Sequence, residues 1–206
     1  NYHAFCISDC DKSEGSEEEK YVIGQALKAI KIVPFLPDKP ILTEFLNATS
    51  VFPGEKITLF EQVPLLLNIQ AVTSQKTVDL KQLSIVKLTH TWLGDYTDGE
   101  LCYYDTAEAI FQQNMIEYQS GAAICPIEIN NHSEKKYLLK QLVIRTEFLS
   151  IFLHQEFLWT NKMKIDYYGE EKENAIQIVD DYANDPQYIR LNQPREDIKQ
   201  SQKLFH

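Results

Sequence analysis

The sequence predicts an all-β protein, an antiparallel β-sandwich of immunoglobulin-like or jelly-roll-like type, formed as one body or as two packed sandwich halves. Three observations carry this. Several short runs alternate apolar and polar residues with a period of two, the spacing that turns one face of a strand into a core. Turn chemistry recurs at Pro34, Pro37 and Pro40, at Pro53-Gly54, at Gly94 and Gly99, and at Asn130-Asn131-His132-Ser133. The intervals between these breaks are rich in β-branched and aromatic residues, with 11 Tyr and 10 Phe in 206 residues, and such side chains suit a pleated, half-buried surface.

The elements follow in chain order. Residues 8–20 combine acidic charge with small polar residues and offer no apolar face, so residues 1–20 form an acidic, mobile N-terminal segment. Residues 21–115 and 116–206 then read as an N-terminal β-rich half and a C-terminal sandwich half. Val51 to Phe60 holds Pro53-Gly54 where a type II turn needs them, between two strand-like runs. Cys125, Ile127 and Ile129 share one face while Pro126, Glu128 and Asn130 share the other, which predicts a half-buried strand. Asn130 to Glu134 supplies a polar turn, and Tyr137 to Ile144 reads as the hairpin partner running back. Met163, Ile165 and Tyr167 alternate with lysines and an aspartate, and Ile176 and Ile178 repeat the pattern beyond the turn at Gly169.

Two segments have mixed periodicity. Phe111, Met115 and Tyr118 fit a helical stripe or the continuation of a strand leaving Cys102. Phe148 to Trp159 is apolar at nearly every spacing and is assigned to strand. The tail from Asp185, with Pro186 and Pro194, wraps the surface. No period of roughly 20–50 residues repeats, which argues against a solenoid or propeller.

Composition narrows the function classes. The formal charge of −10 would repel a phosphate backbone, which excludes nucleic acid as the expected partner. No apolar run approaches the ~20 residues that span a bilayer, so membrane insertion is not expected either. The chain opens at Asn1 without a methionine, which fits a trimmed chain or a removed leader. Four cysteines without paired Cys-x-x-Cys spacing read as buried, reduced thiols. The expected compartment is therefore the cytoplasm, the alternative being export with the leader removed.

One stretch approaches a motif: Thr91-Trp92-Leu93-Gly94-Asp95 followed by Gly99-Glu100-Leu101-Cys102-Tyr103. Trp92 either floors a ligand pocket or, the favoured reading, plugs the end of the sandwich. Asp95, Asp98, Glu100 and Asp105 crowd oxygen ligands, but the spacing lacks the glycine and closing glutamate of an EF-hand loop. His3, Cys6 and Cys10 give three zinc-type ligands where a structural site needs four. A nucleophilic Cys102 or Cys125 would need a histidine in space, and His90, His132 and His154 are scattered in sequence. Glu147 and Glu156 could flank a glycosidic bond only if the fold brings them together. The Asn47-Ala48-Thr49 and Asn131-His132-Ser133 triplets match a glycosylation acceptor but read as turn residues.

Four segments together resemble the uncharacterised prokaryotic domain-of-unknown-function family 432: the two halves of the Trp92 loop just quoted, Cys125-Pro126-Ile127, and Leu158-Trp159-Thr160-Asn161. The likeness runs from about Pro34 to Pro194-Arg195. Leu93 stands where phenylalanine is more usual in that family, and Thr89-His90 replace a more usual Ser-Asn. The resemblance implies no activity at any numbered residue; it implies that the Trp-Gly-Asp loop is a family feature. The occurrence of some relatives beside small mechanosensitive channels adds a channel-accessory role as one possible setting.

The residues thus point to a non-catalytic binding or protein-interaction module with no cofactor and no metal. Its expected contact surface is Trp92, Asp95 and Glu100; its partner is left open, with a protein as the option named. The rival from another class is a hydrolase with carboxylates in a cleft between the sheets, recognisable by strongly shifted carboxyl pKa values in that cleft.

Overall fold

Alternation alone does not say which strands pair, and that is where the fold is decided. The computed structural model describes residues 3–7, 19–170, 172 and 174–196. Among them the regular structure is sixteen strands and two single 3-10 turns, so the chain is all-β. They fall into two compact units, one from the described residues within 1–34 and 67–83, the other from 35–66 and those from 84 onward.

In the first unit β1 (His3–Ile7) and β2 (Glu19–Ile23) pair antiparallel, so strand structure reaches into the segment expected to be mobile; its acidic run, 8–18, lies outside the described residues. A three-stranded sheet runs β3 (Leu27–Phe35), β6 (Leu66–Thr73), β7 (Thr77–Ser84). Its middle strand buries Ile69 and Ala71, while Asn68 and Gln70 both donate to Asp79 Oδ1 at 2.8 Å.

The second unit is built from two sheets. One runs β11 (Tyr137–Ile144), β4 (Ile41–Val51), β9 (Glu100–Ala107), β8 (Thr89–Leu93). The other is centred on β10 (Ala122–Asn131), which pairs antiparallel with β5 (Lys56–Pro64) and parallel with β13 (Phe157–Thr160) and β14 (Lys162–Tyr167). β15 (Ala175–Val179) extends it beyond β14, and β12 (Ile151–His154) and β16 (Tyr188–Arg190) extend it beyond β13. Most pairings are antiparallel; β4–β9 joins the two β10 pairings as parallel.

Inward residues of both sheets make one core, including Leu59, Cys125, Ile127, Ile129, Leu142 and Met163, all with 0 % exposure. Each such aliphatic side chain removed from water stabilises the fold by about 1.5–3 kcal/mol before entropy is counted. The expected face of Cys125, Ile127 and Ile129 is buried as predicted. The opposite face is covered too: at Ile124 it packs with Phe152 and Trp159 under Tyr118, Phe157, Tyr182 and Tyr188. The strand is central rather than half-buried because it is paired along both edges and covered on both faces.

Other expectations are corrected by pairing. Tyr137–Ile144 does not return beside β10 but crosses to pair with β4, since both edges of β10 are taken. Phe148 to Trp159 is not one strand. A 3-10 turn at Thr146–Phe148 precedes a β12–β13 hairpin whose turn residue Gln155 takes φ 54, a conformation no glycine announces. The stripe Phe111, Met115, Tyr118 forms no α-helix; it lies in an extended strap with one 3-10 turn, Gln113–Met115. Gly54 does adopt the positive φ, 76°, required of its turn, which carries the chain from one sheet to the other. The β14–β15 hairpin pairs Met163 with Ile178 and Ile165 with Ile176, as the alternation predicts.

Candidate functional site

The Trp92 loop closes the β8–β9 hairpin, where Trp92 pairs with Leu101 and Leu93 with Glu100. Gly94 takes φ 94°, and the Asp95 carbonyl accepts both the Gly99 N–H at 2.8 Å and the Trp92 indole N–H at 3.0 Å. The indole edge lies so close to Gly99 that a Cβ there would sit 2.2 Å from Nε1. The loop is therefore fixed by its own backbone, and glycine at 99 is required by that approach.

Trp92 does not plug the sandwich. It is 51 % exposed, Leu101 beside it is 45 % exposed, and Tyr96 at the loop tip is 96 % exposed. The tryptophan that closes a core is Trp159, 4 % exposed against Ile124 and Phe152. Trp92 shares a face with the core residue Tyr103 but lies near the hairpin end of β8, opposite the exposed Leu101.

Asp95 and Asp98 are exposed, whereas Glu100 turns to Arg145, which donates from Nη1 to Oε2 at 2.9 Å and from Nη2 to Oε1. Arg145 Nη1 also stands 3.6 Å from Glu147, whose carboxyl is pushed up by burial. Asp105 leaves the opposite face of β9 from Glu100, so the four carboxylates read together in sequence do not converge.

The remaining sequence candidates are not brought together. Cys10 lies outside the described residues, and of His3 and Cys6 only their strand is described. Cys102 and Cys125 are free and buried, and burial pushes the Cys125 thiol up to about 12. The three histidines are spent elsewhere: His90 on the Tyr103 ring, His132 on Asp166 at 3.0 Å, His154 on the Gln187 carbonyl at 3.2 Å. Glu156 sits exposed in the β12–β13 turn, whereas Glu147 is partly buried against Arg145. Neither acceptor triplet begins in a turn: Asn131 is the last residue of β10, its side chain donating to the Val51 and Lys135 carbonyls, and Asn47-Ala48-Thr49 lies within β4.

The site that residue-by-residue reading missed lies between the two sheets. A cleft of about 640 Å³ opens among β5, the end of β9 and the strap 108–119. Leu59, Glu61 and Val63 are the inward residues of β5, so Glu61 occupies a core position directly across from Cys125. It is 3 % exposed, and its Oε2 has no hydrogen-bond partner. Burial, reinforced by the Asp105 charge, pushes this carboxyl up to about 8. Asp105, Glu108 and Glu117 line the same cleft with Phe60 and Met115. The lining holds no Lys, Arg, His, Ser or Cys.

The strap is held against β5 by specific bonds. Phe60 N–H donates to the Ile110 carbonyl at 2.8 Å, Gln62 Nε2 donates to the Glu117 carbonyl at 2.9 Å, and Gln62 Oε1 accepts the Gln119 N–H at 2.7 Å. A charged residue between two inward aliphatics was the available signal for the cleft. The strap that covers it carries a helical stripe, Phe111, Met115 and Tyr118, that gave no sign of its extended course.

Fold and sites together define a β-sandwich protein with an exposed aromatic loop and an acidic cleft between its sheets. The chain belongs to the family described as protein of unknown function (DUF432), whose model matches residues 2–205. No curated protein matches it, and no solved structure does.

Proposed function

We propose that this chain is a non-catalytic protein-interaction module whose contact surface is the loop bearing Trp92, Asp95 and Glu100. The observation that carries the reading is a half-exposed tryptophan held in a loop that its own hydrogen bonds already fix. Leaving such rings in water forgoes burial energy, and a preorganised Trp or Tyr is the residue type that anchors protein interfaces. Trp92, Leu101 and Tyr96 form the apolar centre, and Asp95 and Asp98 its acidic rim. Glu100 acts indirectly, bracing the hairpin through Arg145. The partner surface is then an apolar pocket edged by lysine or arginine. A cytoplasmic setting belongs to the same proposal, supported by the unpaired, buried Cys102 and Cys125.

The test replaces Tyr96 with a photo-crosslinking phenylalanine analogue in the native host, identifies the captured protein, and measures its binding to purified wild type, Trp92→Ala and Tyr96→Ala. Folded variants that bind at least about tenfold more weakly support the module, that factor being 1.4 kcal/mol. Equal binding by all three proteins, or loss of the fold in Trp92→Ala, refutes it.

One observation favours a second reading, hydrolysis. Glu61 is held protonated near neutral pH beside Asp105, the arrangement by which one carboxyl serves as acid and another as base. Turnover of a chromogenic glycoside that disappears in Glu61→Gln would establish it.

A further inference from the structure

We propose that the cleft between β5, β9 and the strap 108–119 binds a small organic cation, an amine or amidine, with its charged head against Glu61 and Asp105 and its carbon body against the apolar strap residues Phe111 and Met115. The inference is independent of the Trp92 loop. It rests on three features of the cleft.

The first is Glu61 itself. A carboxyl at 3 % exposure whose Oε2 lacks any partner is a buried acceptor awaiting a donor. The chain supplies none, because the residues lining the cleft include no lysine, arginine or histidine. Asp105, Glu108 and Glu117 raise the negative potential there further, and the chain's net charge of −10 draws cations toward it.

The second is the apolar content. Leu46, Phe60, Ile110, Phe111 and Met115 share the lining with the carboxylates. Calcium and magnesium want about six or more oxygens, water included, and among the described residues no group of three or more Asp, Glu, His or Cys is placed to hold any metal ion. A cation with a hydrocarbon body matches both parts of the wall. At about 640 Å³ the cleft lies within the usual range for a small-molecule site.

The third is preorganisation. The strap is fastened to β5 at Ile110, Glu117 and Gln119 by backbone and Gln62 bonds, so the wall exists before any ligand arrives. An ammonium or amidinium entering would donate to Glu61 Oε2 and displace its proton. Binding therefore strengthens as pH rises through about 8. The titratable groups placed against Glu61 are Asp105 from β9 and Cys125 from β10, while Glu108 and Glu117 of the strap line the same cleft. None of them carries a positive charge that could pair with an ionised Glu61 in place of the ligand.

Benzamidine is the probe, because its charge does not titrate in this range, and benzamide is its neutral match in shape. Calorimetry and thermal shift with the whole chain should show benzamidine binding, with affinity increasing between pH 6 and 9, and benzamide binding at least about tenfold more weakly, as expected for loss of a charge-assisted bond. Glu61→Gln should reduce benzamidine affinity by a similar factor and remove its pH dependence. Asp105→Asn, at a partly exposed position, should weaken binding while leaving the fold unchanged and supplies the same information if Glu61→Gln misfolds. Equal binding of benzamide and benzamidine, unaltered benzamidine affinity in a folded Glu61→Gln or Asp105→Asn, or no benzamidine binding up to roughly 10 mM, would overturn the proposal.

Discussion

Replacing Glu61 by glutamine should change how stability depends on pH more than it changes stability at any one pH. In the folded chain the carboxyl titrates near 8 rather than at its ordinary 4.5, because burial and the Asp105 charge disfavour the ionised form. The folded state therefore binds this proton more tightly than the unfolded state does. Below about 4.5 the group is protonated in both states and takes nothing from stability. Between 4.5 and about 8 the unfolded chain ionises freely while the folded chain cannot, so stability falls as pH rises; above about 8 the loss is complete. At 1.36 kcal/mol per pKa the gap amounts to about 5 kcal/mol, an upper bound because local fluctuations of a folded chain hydrate a buried carboxyl at lower cost. Glutamine keeps the shape and removes the titration. Urea unfolding of wild type and Glu61→Gln at steps from pH 4.5 to 8.5 gives a difference in free energy in which titrating groups not coupled to Glu61 cancel. That difference should move by several kcal/mol in favour of the variant across the range. A flat difference would refute the placement of Glu61 in the core.

Three further outcomes follow from the same geometry. Trp92→Ala should change stability by less than about 1 kcal/mol, while Trp159→Ala should cost about 3–5 kcal/mol, both read from chemical denaturation. Arg145→Met should destabilise by about 2–3 kcal/mol in denaturant titration, because it strands the half-buried Glu147 and frees Glu100. Cys125, fully buried with its thiol pushed up to about 12, should resist alkylation in the native protein and react only on unfolding, as mass spectrometry of labelled peptides would show.

The all-β class and the strands at Cys125–Ile129 and Met163–Ile178 were legible because alternation reports burial directly. Pairing was not, because alternation carries no information on which neighbour a strand meets. That is why Tyr137–Ile144 went to β4 instead of β10, and why the second buried face of β10 was invisible. The turn at Gln155 was hidden for a local reason, a positive φ adopted without glycine or proline. The Trp92 loop was visible as a motif, yet the sequence does not tell an exposed hairpin end from a covered one. Glu61 was the missed clue: a carboxylate between Leu59 and Val63 on the inward face of a strand contradicts the pattern around it, and such a conflict marks a site.

Carbon-13 NMR of selectively labelled glutamate carboxyls, with Glu61→Gln identifying the resonance, tests the acidic cleft most directly. Glu61 should titrate with a midpoint near 8. A midpoint in the ordinary glutamate range would mean that the carboxyl reaches water, and the cleft with its buried, unpartnered acid would not exist as described.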